Sequence, residues 1–362
     1  MQSSSRIEKI CANLFLISVA FYLMLIFSEA VMKFFLFHPT YDFQAAGMLD
    51  GHGKDLKVEL IPDNLYKIKP NKHWGINNDG FRDIDYSTDK HGLKRIAFLG
   101  DSFTMGLNVK ADETMPKLLE KQLRNYQVYN MGVVGFGPDQ ELNVLKKYGF
   151  RYQPDMVIEA ICALNDSGDI YKNGLYTLGP KGELEASKSN PVRTMVFPSI
   201  FSLYNEIHFI RHRNEIIDAL DPLLFGDSYD LAWMKFSESN EAKFKYSLMK
   251  AILKETFDET AKQKIKFLAV IIPTFENMCN DKFFKDNNVD TGSYFRNEQI
   301  YQYILDSQKI PNINLVPFFM HLDNAQRCSL YDADNGHLSP SGNLYAAQII
   351  KLYMDNHGIA VE

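Results

Sequence analysis

The stretch that decides the fold is residues 94–103, which read KRIAFLGDSF. Four apolar residues in succession, closed by Gly-Asp-Ser, predict a buried β-strand that ends in a tight turn. Open α/β folds keep their sites at the carboxyl edge of the sheet, so this turn is expected to present the hydroxyl of Ser102 at that edge. The sequence therefore predicts an α/β domain with a serine where a nucleophile can act.

Further apolar runs alternate with helical patterns along the chain, which favours a parallel sheet with right-handed crossovers. We predict strands at Arg95–Leu99, Gln127–Asn130, Met156–Cys162, Phe267–Ile272 and Asn314–Phe318. Helices are predicted to begin near Thr114, after Pro138-Asp139, near Glu241 and at Pro340. This alternation predicts a flavodoxin-like three-layer sandwich with a five-stranded parallel sheet in the order 2-1-3-4-5.

A base for the serine is found far downstream, in Asp334-Asn335-Gly336-His337. A serine alone is a poor nucleophile, and an adjacent base activates it. An aspartate three residues before a histidine can share its turn, orient the imidazole and stabilise its cation. Because triads are recognised by roles and not by chain order, Ser102, Asp334 and His337 are candidates for a catalytic triad.

Two more segments follow the second and third apolar runs, NMGVVGFG at 130–137 and ALND at 163–166. With the Gly-Asp-Ser and Asp-x-x-His blocks, and in this order, they resemble the SGNH (GDSL-type) hydrolase superfamily over roughly residues 95 to 350. The resemblance implies the SGNH hydrolase fold, with Ser102 as nucleophile. It implies an oxyanion hole formed by Ser102, Gly135 and Asn165, although Gly132 or Gly137 is an alternative source of the glycine amide.

The resemblance extends to membrane-anchored bacterial envelope members of the superfamily. It implies a serine esterase acting on an O-acyl ester, chiefly O-acetyl, of an envelope carbohydrate through an acyl-serine. The alternatives are an O-acyltransferase of an exported polysaccharide that works with a polytopic membrane partner, and a non-catalytic polysaccharide-binding assembly factor on the same scaffold. The chemistry requires no cofactor and no metal, and the sequence does not identify substrate-binding residues.

Composition limits the classes of partner. A chain of 362 residues, 46% of them hydrophobic, is long enough for one large domain with additions. The net charge of −6 and the absence of a basic stripe argue against a nucleic-acid partner. The nine histidines are scattered, and no pair has the spacing of a metal site.

The N-terminal segment Ile10–Phe27 is almost uninterruptedly apolar. It predicts a transmembrane helix, because a helix of this length just spans a hydrocarbon core of about 30 Å. Arg6 and Lys9 precede it, which favours a cytoplasmic N-terminus. The chain is therefore predicted to be a single-pass protein of the bacterial inner membrane with its catalytic domain exported, facing the periplasm or lying at the cell surface. A cleaved signal peptide is the alternative, since residues 28–30 include small residues suited to cleavage.

The chain is predicted to comprise an anchor at 1–37, an extended lead-in at 38–90 and a hydrolase-like domain at 91–362. Arg82 in the lead-in is interpreted either as an anion ligand or as a brace for a loop. An insertion at about 168–238 is predicted to form a lid or substrate wall. Its aromatic residues Phe197, Phe201 and Tyr204 serve either the substrate or the small core of the insertion itself.

Cys279 and Cys328 both lie in loops that follow predicted strands. In an oxidising compartment they can pair, because the loops after the fourth and fifth strands are neighbours in the predicted fold. Two free thiols are the alternative. Cys162 lies in the third predicted strand, where a free buried thiol is expected.

Overall fold

The computed structural model describes residues 13, 16–25, 27–28, 58–61, 65–187, 231–235 and 238–359. The chain divides into two compact units, Met1–Asp42 with Asn190–Gly226, and Phe43–Ser189 with Asp227–Glu362. Most of the first unit lies outside the described residues. So do Phe197, Phe201 and Tyr204 of the predicted insertion, whose role therefore stays a prediction.

The second unit contains a central parallel sheet and two small antiparallel hairpins. Its strands are β1 (Val58–Ile61), β2 (Leu65–Ile68), β3 (Lys94–Leu99), β4 (Tyr126–Asn130), β5 (Met156–Cys162), β6 (Tyr176–Leu178), β7 (Leu184–Ala186), β8 (Lys266–Ile272) and β9 (Asn312–Asn314). The five-stranded sheet has the order β4-β3-β5-β8-β9, with every neighbouring pair parallel. Numbered among themselves along the chain, these strands have the order 2-1-3-4-5, which confirms the predicted topology.

Helices connect the strands and cover both faces of the sheet. They are α1 (Ser102–Met105), α2 (Met115–Gln122), α3 (Pro138–Lys147), α4 (Asp166–Asn173), α5 (Ala232–Lys235), α6 (Asn240–Lys262), α7 (Phe275–Cys279), α8 (Asp281–Asp286), α9 (Arg296–Ser307), α10 (Val316–Met320), α11 (Asn324–Cys328) and α12 (Pro340–Asn356). Helices α2 and α12 pack against each other over one face. On the other face α3 contacts β3 and α6 contacts β8, which gives the three layers.

The sequence forms this sheet because its central strands are apolar on both faces. All seven residues of β5 are buried, as expected for a strand inside a parallel sheet covered by helices. Alternate strand residues such as Phe98 and Ile158 join the apolar side of α2 and α12 in one core cluster. The amphipathic pattern of α2 places Met115 and Leu119 in that cluster, with Pro116 in its first turn.

The predicted fifth strand is wrong beyond its first residue. The strand β9 ends at Asn314, and the segment predicted to continue it forms the helix α10. The side chain of Asn314 accepts a hydrogen bond from the backbone N–H of Val316 at 2.9 Å, which turns the chain out of the strand. Pro317 lacks an N–H for a strand ladder but suits the first turn of a helix, so the apolar run becomes helical.

The described part of the lead-in is more ordered than its composition predicts. This part contains the β1–β2 hairpin, and its residues 71–86 pack against the sheet. Phe81 is buried, and a carboxylate oxygen of Asp83 accepts the N–H of Asn130 at the end of β4, at 2.9 Å. The hydroxyl of Tyr86 donates to the carbonyl of Asn130 at 2.8 Å. The lead-in from Phe43 onward belongs to the same compact unit as the sheet.

In the first unit, residues 16–25 are helical and their apolar side chains are exposed. Within the predicted anchor Ile10–Phe27, residues 10–12, 14–15 and 26 lie outside the described residues. Within the part of the chain that the structure describes, no helix combines the length and the apolar character needed to cross a bilayer.

Candidate active site

The loop after β3 holds Ser102 at the carboxyl edge of the sheet. Gly100 has φ +151°, and a Cβ there would lie 2.1 Å from Oγ1 of Thr104, so only glycine fits. Asp101 caps α1, with its Oδ1 accepting the N–H of Phe103 at 2.9 Å. This sharp turn makes Ser102 the first helical residue and directs its hydroxyl out of the sheet edge.

The structure brings Ser102 and His337 together, although 235 residues separate them in the chain. Oγ of Ser102 lies 2.8 Å from Nε2 of His337. The ring of Phe103 lies against the imidazole, with the two centroids 4.9 Å apart. Burial lowers the pKa of His337 below 6.5, partly opposed by the Asn335 carbonyl and the charge of Asp332. A neutral imidazole at neutral pH can act as a base.

Asp334 does not take the position predicted for it. Nδ1 of His337 pairs instead with the backbone carbonyl oxygen of Asn335, at 3.0 Å. Asp334 is exposed, and its carboxylate has no hydrogen-bond partner among the described residues. The reason is the turn itself. Oδ1 of Asp332 accepts the N–H of Asp334 at 3.0 Å, and the carbonyl of Asp332 accepts the N–H of Gly336 at 2.8 Å. This tight turn presents a carbonyl, and not the Asp334 side chain, to the imidazole.

Backbone amides near the serine can serve as an oxyanion hole. The N–H of Ser102 is at the start of α1, and within the described residues it donates to no acceptor. The N–H of Gly135, at φ +68°, is likewise unengaged in the described part of the chain. Gly132 and Gly137 differ, because their amides donate to the side chains of Asn130 at 3.0 Å and Gln140 at 3.4 Å. Gly135 is therefore the better candidate of the three glycines.

Asn165 lies beside the nucleophile loop but is already engaged. Its Nδ2 donates to Asp169 at 3.0 Å and approaches Oδ2 of Asp101 at 3.4 Å. Its Oδ1 is buried and has no hydrogen-bond partner among the described residues. The structure thus places Asn165 next to Asp101, with its amide hydrogens pointing to carboxylates.

A group of buried carboxyl groups adjoins this side of the site. Its members are nearly inaccessible to solvent: Asp101, Asp139, Glu141, Glu159 and Asp166. Burial raises the pKa of Asp101 to about 6, that of Asp139 to about 7 and that of Glu159 to about 8. Burial, reinforced by neighbouring carboxylates, raises the pKa of Glu141 and of Asp166 well above the ordinary range. At neutral pH the carboxyl group of Glu159, with a pKa of about 8, is therefore mostly protonated, whereas that of Asp101, with a pKa of about 6, is mostly ionised.

Cys279 and Cys328 form a disulfide, which is one of the two alternatives that the sequence left open. The bond joins the ends of α7 and α11, with Cα atoms 5.7 Å apart. The hydroxyl of Tyr331, three residues beyond Cys328, donates to the carbonyl of Pro273 at 2.8 Å. The bridge therefore ties the segment leading to His337 to the loop after β8. Cys162 is a free, buried thiol, as expected.

Sequence reasoning missed Asn335, Asp332 and Asn108. The side chain of Asn108 donates to Oδ1 of Asn335, across 227 residues of sequence. Asn335 lies inside the Asp-x-x-His block, so the sequence already indicated that its backbone carbonyl is in the same turn as His337. Asn108 has no local pattern that could have indicated its role. Arg82 braces a loop, because its guanidinium donates to the backbone carbonyls of Gly106 and Val109.

Comparisons with known proteins were made on sequence and on structure. No protein-family model matches the chain, and no curated protein sequence matches it. A lipase/acylhydrolase from Enterococcus faecalis has a TM-score of 0.42 at 13% identity, over 73% of this chain and 97% of that one. An acetyl xylan esterase has a TM-score of 0.41 at 14% identity, over 72% and 98%. A GDSL-like lipase from Bacteroides thetaiotaomicron has a TM-score of 0.38 at 13% identity, over 75% and 93%.

Proposed function

We propose that this chain is a serine ester hydrolase that removes an O-acyl group, chiefly O-acetyl, from an envelope carbohydrate through an acyl-serine intermediate. The observation that carries the proposal is the 2.8 Å contact between Oγ of Ser102 and Nε2 of His337 at the carboxyl edge of the sheet. A serine hydroxyl bonded to a neutral imidazole is what acyl transfer by an activated nucleophile requires.

The Asn335 carbonyl determines which nitrogen of His337 is the base. A carbonyl oxygen only accepts hydrogen bonds, so Nδ1 carries the proton and Nε2 is left free to take one. As Oγ of Ser102 bonds to the ester carbon, its proton passes to Nε2. Collapse of the tetrahedral intermediate breaks the ester C–O bond, and the departing alcohol takes the proton from Nε2. Water then attacks the acyl-serine with the same base, releasing the acid and restoring Ser102.

The negative oxygen of both tetrahedral intermediates needs donors. The unengaged amides of Ser102 and Gly135 are the two candidates with no competing acceptor in the described residues. Each such donor is worth about 3 kcal/mol to the transition state. Asn165 is a third donor if its amide turns from Asp169 to the substrate oxygen.

The carbohydrate part of the proposal follows the sequence resemblance to envelope members of the SGNH superfamily. A membrane anchor at Ile10–Phe27 is supported by the exposed apolar side chains of the helix at 16–25, among them Leu16 at 62% and Phe21 at 57%. Export of the catalytic unit is supported by the Cys279–Cys328 bond, since disulfides persist mainly in oxidising compartments.

The test uses a fluorophosphonate, which phosphonylates activated serines, and p-nitrophenyl acetate. The purified full-length protein is expected to be labelled at Ser102, as located by peptide mass spectrometry, and to hydrolyse the ester. Ser102→Ala should abolish both activities with an unchanged circular dichroism spectrum. Acetate release from acetylated xylan, acetylated mannan and O-acetylated peptidoglycan then identifies the carbohydrate. If the wild-type protein is not labelled by the fluorophosphonate and does not hydrolyse the ester, the proposed enzymatic function is refuted. The non-catalytic polysaccharide-binding factor is then the alternative that remains.

A further inference from the structure

Asn335 is held in place by contacts on both sides of its side chain. Its Oδ1 accepts a hydrogen bond from Nδ2 of Asn108 and also the backbone N–H of His337, the latter at 3.1 Å. Its Nδ2 approaches Oδ2 of Asp332 at 3.4 Å. Its backbone carbonyl accepts the Nδ1–H of His337. Because Asn335 is exposed, packing does not hold it, and these hydrogen bonds are what orient its carbonyl.

Asn108 lies in the loop that follows α1, and Arg82 of the lead-in holds that loop. The guanidinium of Arg82 is buried and donates to the carbonyls of Gly106 and Val109, the latter at 2.6 Å. Its Nε donates to the carbonyl of Trp74 at 3.1 Å, and the group stacks over the Trp74 ring. Burial lowers the pKa of Arg82 to about 10, so it remains charged at neutral pH. Hydrogen bonds from a charged donor are stronger than neutral ones, and they fix both sides of Asn108.

We infer that Asn108 is a positioning residue for the general base: through Asn335 it orients His337, and Arg82 holds Asn108 in place. The inference rests on the proposed function and deepens it. In a serine triad a carboxylate bonded to the imidazole fixes its tautomer and orientation. Here a backbone carbonyl fixes the tautomer, and the Asn108–Asn335 contact fixes the carbonyl. The chain of contacts runs from Arg82 to Ser102 through residues far apart in sequence.

The orientation matters because Gly336, between Asn335 and His337, has φ +74° and no side chain to restrict it. Without the hydrogen bond from Asn108, the Asn335 carbonyl loses one of the contacts that hold it under the imidazole. A hydrogen bond of this kind contributes about a factor of ten to the population of the oriented state. Proton transfer from Ser102 requires that state, whereas the pocket for the substrate does not.

The experiment measures Asn108→Ala, Asn335→Ala and the double variant. Asn108→Ala is expected to lower kcat for p-nitrophenyl acetate, and the fluorophosphonate labelling rate of Ser102, by about tenfold, with KM within twofold. The acid limb of the pH profile should move to lower pH, because the Asn335 hydrogen bond raises the pKa of His337. The double variant should lose no more than Asn335→Ala alone, since Asn108 acts through Asn335.

The matched control is Asn78→Ala. It also removes a side-chain hydrogen bond of an asparagine, from Nδ2 of Asn78 to Asp85 at 2.8 Å, but this bond lies within the lead-in. It should keep the wild-type rate, and all variants should keep the wild-type melting temperature within a few degrees. Wild-type kcat, labelling rate and pH profile in Asn108→Ala would overturn the inference, as would losses that multiply in the double variant. Failure of the wild-type protein to be labelled would refute the proposed function instead, so the two failures are distinguishable.

Discussion

Replacing Asp334 with asparagine distinguishes two groups that could orient the imidazole of His337, the Asp334 carboxylate and the Asn335 carbonyl. If the Asp334 carboxylate bonded Nδ1, the change would leave the imidazole in the wrong tautomer. That substitution costs about 10⁴-fold in kcat in a serine protease triad. In this structure Nδ1 pairs with the Asn335 carbonyl at 3.0 Å, and Asp334 is exposed. We therefore expect Asp334→Asn to lose less than tenfold.

Asp332→Asn is the companion variant, because we expect it to lose more activity than Asp334→Asn. Asp332 accepts the N–H of Asp334 at 3.0 Å and faces the Asn335 amide, and its charge raises the pKa of His337. The substitution takes away a charged acceptor within the turn and a charge that stabilises the imidazolium. Hydrogen bonds to charged groups are worth about 1.5–3 kcal/mol, which corresponds to roughly 10- to 100-fold in kcat.

The assay is kcat/KM for p-nitrophenyl acetate across pH, with fluorophosphonate labelling of Ser102 as a measure that does not depend on substrate. The acid limb of the wild-type profile should lie below pH 6.5, since burial lowers the pKa of His337 and the base must be neutral. The reasoning is refuted if Asp334→Asn loses 10³-fold or more, on the order of a triad loss, while Asp332→Asn stays near the wild-type rate.

Three further expectations follow from the described contacts. Asn165→Ala should lower kcat roughly 100-fold at nearly constant KM if the Asn165 amide turns from Asp169 to the oxyanion in the transition state; steady-state kinetics check this, and a change in KM alone would assign the amide to substrate binding. Cys279→Ser with Cys328→Ser should lower the free energy of unfolding by about 4 kcal/mol, since the bond closes a loop with a sequence separation of 49; urea unfolding without reductant measures this, and equal midpoints would contradict it. Glu159→Gln should flatten the dependence of stability on pH. Burial raises the folded-state pKa of Glu159 from 4.5 to about 8, so its contribution is fully present below 4.5 and is lost as pH rises towards 8. The free energy of unfolding of the variant, relative to wild type, should be higher at pH 9 than at pH 5 by on the order of 3 kcal/mol. Curves of unfolding free energy against pH that run parallel for the two proteins would refute this.

The topology of the sheet was predictable because its strands are buried on both faces. Such strands are continuous apolar runs, and β5 was predicted with the bounds that the structure has. The fifth strand was not, because an apolar run alone does not distinguish a strand from a helix. Pro317 and the side chain of Asn314 decided the outcome locally, by ending the ladder and starting a helical turn.

The nucleophile and the base were predictable from short blocks, but the group that orients the base was not. A spacing of three between Asp334 and His337 permits their contact without requiring it. The same turn offers the imidazole a second carboxylate and a backbone carbonyl, and the hydrogen bonds that Asp332 accepts within the turn present the carbonyl. Asn108 could not be found from the sequence, since its contact with Asn335 is made only when distant segments fold together.

The place where Arg82 enters the fold has a consequence for the integrity of the chain. Residues 87–93 are mostly exposed, whereas Arg82 before them and β3 after them are buried. A protease that cuts in this exposed link would leave two fragments that remain associated without a covalent connection. Activity would then behave as that of a bimolecular complex and would fall on dilution below the fragment dissociation constant. We therefore expect that the protein can be split and reconstituted at this link. The smaller fragment would supply no reacting atom but would hold the loop that contains Asn108.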